Sequence, residues 1–397
     1  MSINTLYLLL ISLIITKQYE NNFKPTIGIY AMPYPTNDYS IYNQTLVGIS
    51  YIRWLESSGA NVLIIQQWYS NETFDEILNK INGIILHGGT RNVVFGSNHT
   101  WENGLEYIYY KSLEKKIPIF GICLGLSIIG RLVADQKYVC EYGFNNIHII
   151  RGFNVTDYNS KMFSLFNESL LNSLYENSGY YNHRWAINMT TFDKNINLKN
   201  MLKITSISND NKSKEFINSF EGINDYLYGT QFHPEKTPFQ RKNESDFDNV
   251  KLDHEIIYEK NSIRVSTLLG IFFVEECRKN KNRFDPKEKD KYYFIDSYGN
   301  NNQNMTINYT REIYIFSMNN KKKIMHSNIL YYLIYAIIIF IIIIIIIKNY
   351  LVNNKRKTII NLDKEKEKMK EKEKENNLKI SPQNEESNLL KKNRFLN

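Results

Sequence analysis

Short apolar runs alternate with longer amphipathic segments through the first 135 residues. Brief apolar runs bounded by Gly, Pro or Asn are typical of buried strands, whereas apolar residues spaced three and four apart predict helices. This alternation predicts an α/β fold with a mostly parallel sheet and helices on both faces. The predicted strands are Thr26–Tyr30, Val62–Gln66, Gly83–Leu86 and a run from Pro118 into Cys123, and the predicted helices are Leu46–Ser58 and Trp101–Lys115.

The second half of the chain has a more mixed pattern. Two short apolar runs are predicted to pair as a hairpin, and an amphipathic helix is predicted to close the domain. A polar, loop-like stretch and one further short strand follow. In chain order these segments are Glu215–Ser219, Tyr226–Phe232, Val265–Arg278, Asp296–Thr306 and Thr310–Phe316.

The run from Pro118 to Gly125 combines a buried strand, a sharp turn at Cys123 and the start of a helix. Gly121 and Gly125 flank the turn, as expected where a strained backbone crowds any Cβ. A thiol at a helix N-terminus has its thiolate favoured by the helix dipole. The alternative is an inert buried cysteine, since free Cys is among the most buried residue types.

A thiol nucleophile needs a base, and the base needs an orienting group. Of the seven histidines, His233 has the most suitable context, because it follows a predicted strand and precedes Glu235 by two residues. The turn containing Gly89 ends another predicted strand, so its N–H and that of Leu124 are candidate oxyanion donors. The carboxyl ends of parallel strands meet at one edge of a sheet. We therefore predict that these groups converge.

The chain resembles the gamma-glutamyl hydrolases of the class I glutamine amidotransferase-like family over roughly Pro25 to Phe316. The cysteine turn and the His-Pro-Glu ending are shared by the whole superfamily, whereas the segment around His183 and the residues after Glu235 are similar to the hydrolases in particular. The matching segments are Tyr51–Ala60, Ile81–Gly89, Gly121–Gly125, Asn182–Trp185 and Gly229–Pro238.

The resemblance implies a flavodoxin-like doubly wound sheet and a triad of Cys123, His233 and Glu235. Cys123 would attack the amide carbonyl of a gamma-linked glutamate and form a thioester that water then cleaves. The implied substrates are folate poly-gamma-glutamates, with no cofactor and no metal. His183 and Gln231 match positions that line the substrate site.

Two positions depart from the family pattern. Ser127 stands where the hydrolases carry an acidic residue and the amidotransferases a Gln, and His87 stands where Pro is usual. We expect the nucleophile chemistry to survive both changes. Ser127 is expected to alter recognition of the glutamate.

Charge does not predict a nucleic-acid partner. The net charge is +8, but from Lys348 onward 14 Lys and Arg face 8 Asp and Glu, so the rest of the chain is nearly neutral. The alternating Lys and Glu of that tail are typical of a solvated, disordered segment.

Two apolar runs predict targeting. Leu6–Ile15 is short and is interpreted as the core of a signal peptide over residues 1–20. Ile329–Ile347 contains 19 residues without a charge and predicts a transmembrane helix. The predicted organisation is then a catalytic domain at 24–316, a linker at 317–328, the membrane span at 329–347 and a cytosolic tail at 348–397.

This topology predicts a single-pass type I protein of a lysosomal, vacuolar or endosomal membrane, or else of the cell surface, with a lumenal catalytic domain. Glu385–Leu390 has the form of an acidic dileucine signal for a sorting adaptor. Candidate N-glycosylation sites all precede the apolar helix. They are Asn43, Asn71, Asn98, Asn154, Asn167, Asn188, Asn211, Asn243, Asn304 and Asn308.

Two other functions compete with hydrolysis. A glutaminase that delivers ammonia is disfavoured because the chain contains no synthetase domain. An anchored pseudoenzyme that acts as a receptor is disfavoured by the retained Cys, His and Glu and favoured by the change at Ser127. Endo or exo cleavage, a homodimer, and pairing of Cys140 with Cys277 are left open by the sequence.

Overall fold

In the part of the chain that the structure describes, the largest sheet has nine strands. This computed structural model describes residues 23–34, 44–89, 99–135, 137–224, 226–240, 258–285, 287–288, 292–295, 305–308, 312–318 and 321–378. The chain divides into two units, residues 1–318 and 319–397. The predicted signal peptide, the sorting motif and most of the predicted loop at 296–306 lie outside the described residues.

The strands follow one another closely in the first unit. They are β1 (Thr26–Tyr30), β2 (Met32–Pro33), β3 (Gln44–Gly48), β4 (Asn61–Ile65), β5 (Gly83–Leu86), β6 (Ile119–Ile122), β7 (Glu141–Arg151), β8 (Asn154–Val155), β9 (Gly179–Ala186), β10 (Leu202–Asn209), β11 (Glu215–Gly222), β12 (Leu227–Thr230), β13 (Tyr293–Ile295), β14 (Met305–Asn308) and β15 (Ile313–Ser317).

Helices connect the strands and, in one case, form the second unit. They are α1 (Ile49–Ser57), α2 (Asn71–Leu78), α3 (His99–Glu114), α4 (Leu124–Val133), α5 (Glu168–Leu171), α6 (Met189–Lys194), α7 (Ile196–Met201), α8 (Lys236–Phe239), α9 (Lys260–Arg278) and α10 (Lys321–Leu378).

The centre of the large sheet is parallel. Its strands lie in the order β4-β1-β5-β6-β12, each paired in parallel with its neighbour. The first strand of the chain therefore lies between the second and third members of this set, the doubly wound order that leaves a crevice at the carboxyl ends of the strands. The strand ends that precede His87, Cys123 and Gln231 lie at this edge.

The sheet grows by antiparallel strands on both sides. β13 pairs with β4 at one edge, while β11, β10 and β8 extend the sheet beyond β12. The predicted hairpin is confirmed, because β11 pairs antiparallel with β12 and Phe220 lies opposite Gly229.

Both faces of the sheet are covered, since alternate side chains of a strand point to opposite faces. In β4, Val62 and Ile64 belong to one buried cluster and Leu63 and Ile65 to another. Helices α1 and α9 supply the first cluster, and α2, α3 and α4 supply the second. The predicted α/β arrangement is therefore present.

Two smaller sheets flank this core. β7 and β9 form an antiparallel ribbon, and β14, β15, β3 and β2 form a four-stranded sheet. The predicted helix at Leu46–Ser58 begins too early, because Leu46 pairs with Ile315 in β15 and the helix starts only at Ile49. Because Ile315 is far from Leu46 in the sequence, the local pattern of apolar and polar residues does not indicate this pairing.

The second unit contains α10, a 58-residue helix. The apolar run is one part of it, and the other turns are rich in Lys and Glu. Among the described residues, no helix is long and apolar enough to cross a membrane. This finding contradicts the predicted transmembrane span at 329–347 and the single-pass membrane localisation. The predicted linker also differs, because Ser317 ends β15 and the chain is helical from Lys321.

Candidate active site

Cys123 occupies a strained turn between β6 and α4. Its φ of 54° and ψ of −101° lie outside the conformations that non-glycine residues favour. Strain of this kind costs on the order of 1–3 kcal/mol and is held by the surrounding structure. Here the Cys123 N–H donates to the Thr230 carbonyl of β12 at 2.7 Å. The thiol is thus presented at the carboxyl ends of two adjacent strands.

The flanking glycines are required by close approach of the backbone. A Cβ on Gly121 would lie 2.5 Å from the carbonyl of Gly125. A Cβ on Gly125 would lie 1.8 Å from the carbonyl oxygen of Leu86, the last residue of β5. Real Cβ atoms do not approach other atoms so closely. The sequence spacing of these glycines therefore follows from the geometry of the turn.

His233 lies three residues beyond β12 and contacts both predicted partners. Its side chain interacts electrostatically with Cys123, and its Nδ1–H donates to Glu235 Oε1 at 2.8 Å. Both His233 and Glu235 are buried. Burial opposes protonation, but the Glu235 carboxylate and the Cys123 thiolate together raise the pKa of His233 to about 9. This electrostatic balance favours the protonated form of His233.

The predicted substrate residues differ in what they contact. Gln231 Nε2 donates to Cys123 Sγ at 3.7 Å, so this amide faces the thiol. His183 is buried, and its Nδ1–H donates to the Trp185 carbonyl at 3.1 Å while Nε2 accepts from Asn146 Nδ2 at 3.2 Å. Burial lowers the pKa of His183 to about 3. This histidine is a neutral group whose two ring nitrogens are both occupied.

Ser127 lies one turn into α4, and its side chain is uncharged. Its Oγ donates to the Cys123 carbonyl at 3.4 Å, and the residue is only 9% exposed. A serine hydroxyl commonly bonds back to a carbonyl four residues earlier in a helix. The Ser127 hydroxyl is therefore bonded to the backbone of the helical turn that begins at Cys123.

Tyr51 of α1 is a site residue that the sequence analysis missed. Its hydroxyl accepts the Gly88 N–H at 2.9 Å and lies 3.4 Å from His233 Nδ1. Burial, then the charges of Glu235 and Cys123, raise the pKa of Tyr51 well above its ordinary value, so the hydroxyl keeps its proton. The only sequence signal for Tyr51 is its place at the start of the matching segment Tyr51–Ala60.

The two glycines after β5 pack directly against side chains of the candidate site. A Cβ on Gly88 would lie 2.6 Å from His233 Cε1. A Cβ on Gly89 would lie 2.2 Å from Met32 Sδ and 3.7 Å from Leu124 Cδ2. Leu124 is the first residue of α4, so its N–H is one of the helix donors without an intrahelical partner. The predicted oxyanion donors, Gly89 and Leu124, are therefore neighbours.

The remaining predicted sites are dispersed. Asn71, Asn154, Asn167 and Asn211 are exposed and Asn188 is half-buried, whereas Asn43, Asn98, Asn243 and Asn304 lie outside the described residues, as does the side chain of Asn308. Cys277 is a buried free thiol and does not pair with Cys140. Within the described ranges, no cluster of three or more His, Cys, Asp or Glu is placed to hold a metal ion.

Fold and site together define a class I glutamine amidotransferase domain, and the family model "Glutamine amidotransferase class-I" matches residues 47–252. "Gamma-glutamyl hydrolase" from Rattus norvegicus is 30% identical over 67% of this chain and 82% of its own length. "Gamma-glutamyl hydrolase B" from Dictyostelium discoideum is 30% identical over 81% and 92%, and the Homo sapiens gamma-glutamyl hydrolase is 27% identical over 74% and 90%. The chain therefore belongs to the gamma-glutamyl hydrolase family.

Proposed function

We propose that this chain hydrolyses the gamma-glutamyl bonds of folate poly-gamma-glutamates through a thioester on Cys123. The observation that carries the proposal is the contact of a strained, helix-terminal thiol with an imidazole that Glu235 orients. This is the nucleophile, base and orienting group that covalent acyl transfer requires. The family of the relatives gives the bond type, and the folate part of the substrate follows from the resemblance.

In the proposed reaction the Cys123 thiolate attacks the side-chain amide carbonyl of the gamma-linked glutamate. The carbonyl oxygen becomes an oxyanion, which the N–H groups of Gly89 and Leu124 stabilise. His233 gives its proton to the leaving amine as the C–N bond breaks, and the thioester remains. His233 then removes a proton from water, which attacks the thioester and releases the carboxylic acid and the thiol.

Gln231 and His183 have different parts in this scheme. Gln231, with its amide 3.7 Å from the sulfur, borders the position that the scissile carbonyl would take. His183 holds the β7–β9 ribbon through Asn146 and Trp185, and the next residue back, Asn182, places its carbonyl 4.0 Å from Cys123 Sγ. We assign Gln231 to substrate contact and His183 to shaping the wall of the site.

The purified full chain tests the function directly. Incubated with pteroyl-triglutamate, it is expected to release glutamate or gamma-linked diglutamate, which chromatography of the products distinguishes. An alpha-linked diglutamate is the matched control and should remain intact. Ammonia release from free glutamine with no cleavage of the folate would favour the glutaminase function instead. No product from any of these substrates would overturn the proposal and favour a pseudoenzyme.

Ser127→Glu is expected to strengthen binding of a gamma-linked glutamate whose α-ammonium group is free. A carboxylate at this position supplies a charge partner for the substrate ammonium group, and a charge-assisted hydrogen bond of about 1.5 kcal/mol corresponds to roughly tenfold in the Michaelis constant. The turnover number should change little. Steady-state kinetics on gamma-glutamyl-glutamate, whose first residue carries a free ammonium group, gives both constants.

Ser127→Gln is the control for this change, since it has nearly the size of Glu without the charge. It should leave the Michaelis constant close to that of the natural chain. An equal effect of the two variants, or a loss of both kinetic constants with Glu, would show that the substrate ammonium group lies elsewhere.

A further inference from the structure

His87 is a buried histidine that the proposed reaction does not use. It follows Leu86, the last residue of β5, and is only 2% exposed. Its Nδ1 lies 2.8 Å from the Gly88 carbonyl oxygen. Because a carbonyl only accepts, Nδ1 carries the proton and donates it. His87 therefore binds the backbone of its own turn.

Because the peptide unit is planar, this hydrogen bond also affects the orientation of the Gly89 N–H. The Gly88 carbonyl and the Gly89 N–H belong to one peptide plane, and in a trans peptide they point in opposite directions. Among the described residues there is no cis peptide bond. Holding the Gly88 carbonyl thus fixes the direction of the Gly89 N–H, the proposed oxyanion donor.

The preceding peptide is held as well. The Gly88 N–H donates to the Tyr51 hydroxyl at 2.9 Å, and the rings of Tyr51 and His87 pack with centroids 5.3 Å apart. Two consecutive glycines otherwise have the widest choice of backbone conformation. Side chains from α1 and from the turn itself therefore restrain both peptide units that flank Gly88.

We propose that His87 is a positioning residue that preorganises the oxyanion hole by fixing the orientation of the Gly88–Gly89 peptide. The inference rests on the proposed function, because the oxyanion forms only in that reaction. His87 does this as a neutral group: burial, only partly offset by the Gly88 carbonyl, lowers its pKa to about 4. It adds no second positive charge next to His233.

His87→Leu removes the donor while keeping an apolar side chain in the buried site. We expect kcat to fall by about 10- to 100-fold with little change in KM, because an oxyanion donor acts on the transition state and not on the bound substrate. His87→Asn should recover most of the activity, since its amide N–H takes the place of Nδ1–H. Alkylation of Cys123 by iodoacetamide needs no oxyanion hole and should keep its rate and pH profile in both variants.

Ser112→Ala is the matched control for losing a buried hydrogen bond to a carbonyl, because Ser112 Oγ donates to Ile108 within α3, away from the site. It should lower the melting temperature without changing kcat.

If His87→Leu fails to fold, His87→Gln replaces it, since its longer amide misses the Nδ1 position. Unchanged kcat in the Leu or Gln variant, or equal losses in Asn and Leu, would overturn the inference. An inactive natural chain would instead refute the proposed function.

Discussion

Cys123→Ser is expected to abolish hydrolysis while the fold remains intact. Oxygen and sulfur differ little in size, so the strained turn and its hydrogen bond to Thr230 should form in both proteins. An alcohol is far less acidic than a thiol, and the positive charge on His233 that favours a thiolate does not suffice to ionise a hydroxyl. We expect a loss on the order of 10³-fold or more in kcat with pteroyl-triglutamate.

Cys140→Ser is the control, because Cys140 is outside the site and has the same substitution chemistry. It should retain the activity of the natural chain, and both variants should melt near its temperature. Mass spectrometry after brief exposure to iodoacetamide is expected to find the label on Cys123 of the natural chain. Activity within tenfold of the natural chain in Cys123→Ser would contradict a thioester mechanism.

The sequence was sufficient to predict that Cys123, His233 and Glu235 lie close together, because sheet topology relates strand ends that are far apart in the chain. Cys123 and His233 are 110 positions apart, yet each follows a strand of the same parallel set. Since parallel strands end at one edge, a pattern of strands and helices was enough to bring the two residues together. The spacing of His233 and Glu235 is local and needed no topology at all.

The sequence could not predict the roles of Tyr51 and His87 in the same way. Tyr51 meets His233 across 182 residues through the tip of one hydroxyl, and periodicity gives only the buried face of its helix. His87 was identified only as a departure from a family pattern. What it does depends on the direction of a single peptide plane, which no pattern of apolar and polar residues specifies.

Three buried histidines have different pKa values because their surroundings differ. Burial alone lowers the pKa, and it dominates at His87, with a pKa of about 4, and at His183, with a pKa of about 3. His233 is equally buried, but a carboxylate and a thiolate contact it, and its pKa rises to about 9. Charge partners, and not exposure, therefore select the one histidine that carries the proton.

Glu235→Gln is therefore the most informative change besides a change of Cys123. The amide keeps the size of the side chain but removes the largest influence that raises the pKa of His233, so the imidazolium should be lost near neutral pH. A base whose orienting carboxylate is replaced by an amide loses on the order of 10³- to 10⁴-fold in turnover. Steady-state kinetics should show this loss, and the alkylation rate of Cys123 should rise only at higher pH.

The same variant should change how stability depends on pH. The pKa of His233 is about 9 in the folded chain against an ordinary 6.5, so its stabilising contribution is complete below pH 6.5 and is lost as pH rises through about 9. In Glu235→Gln, urea unfolding midpoints between pH 6.5 and 9 should decline less than in the natural chain. Glu276→Gln is the control, because it also removes a buried carboxylate, in this case one that accepts a hydrogen bond from the Tyr228 hydroxyl and does not contact Cys123. This variant should keep the activity of the natural chain and its decline in stability with rising pH. An unchanged alkylation profile in Glu235→Gln would show that Glu235 does not hold the proton on His233.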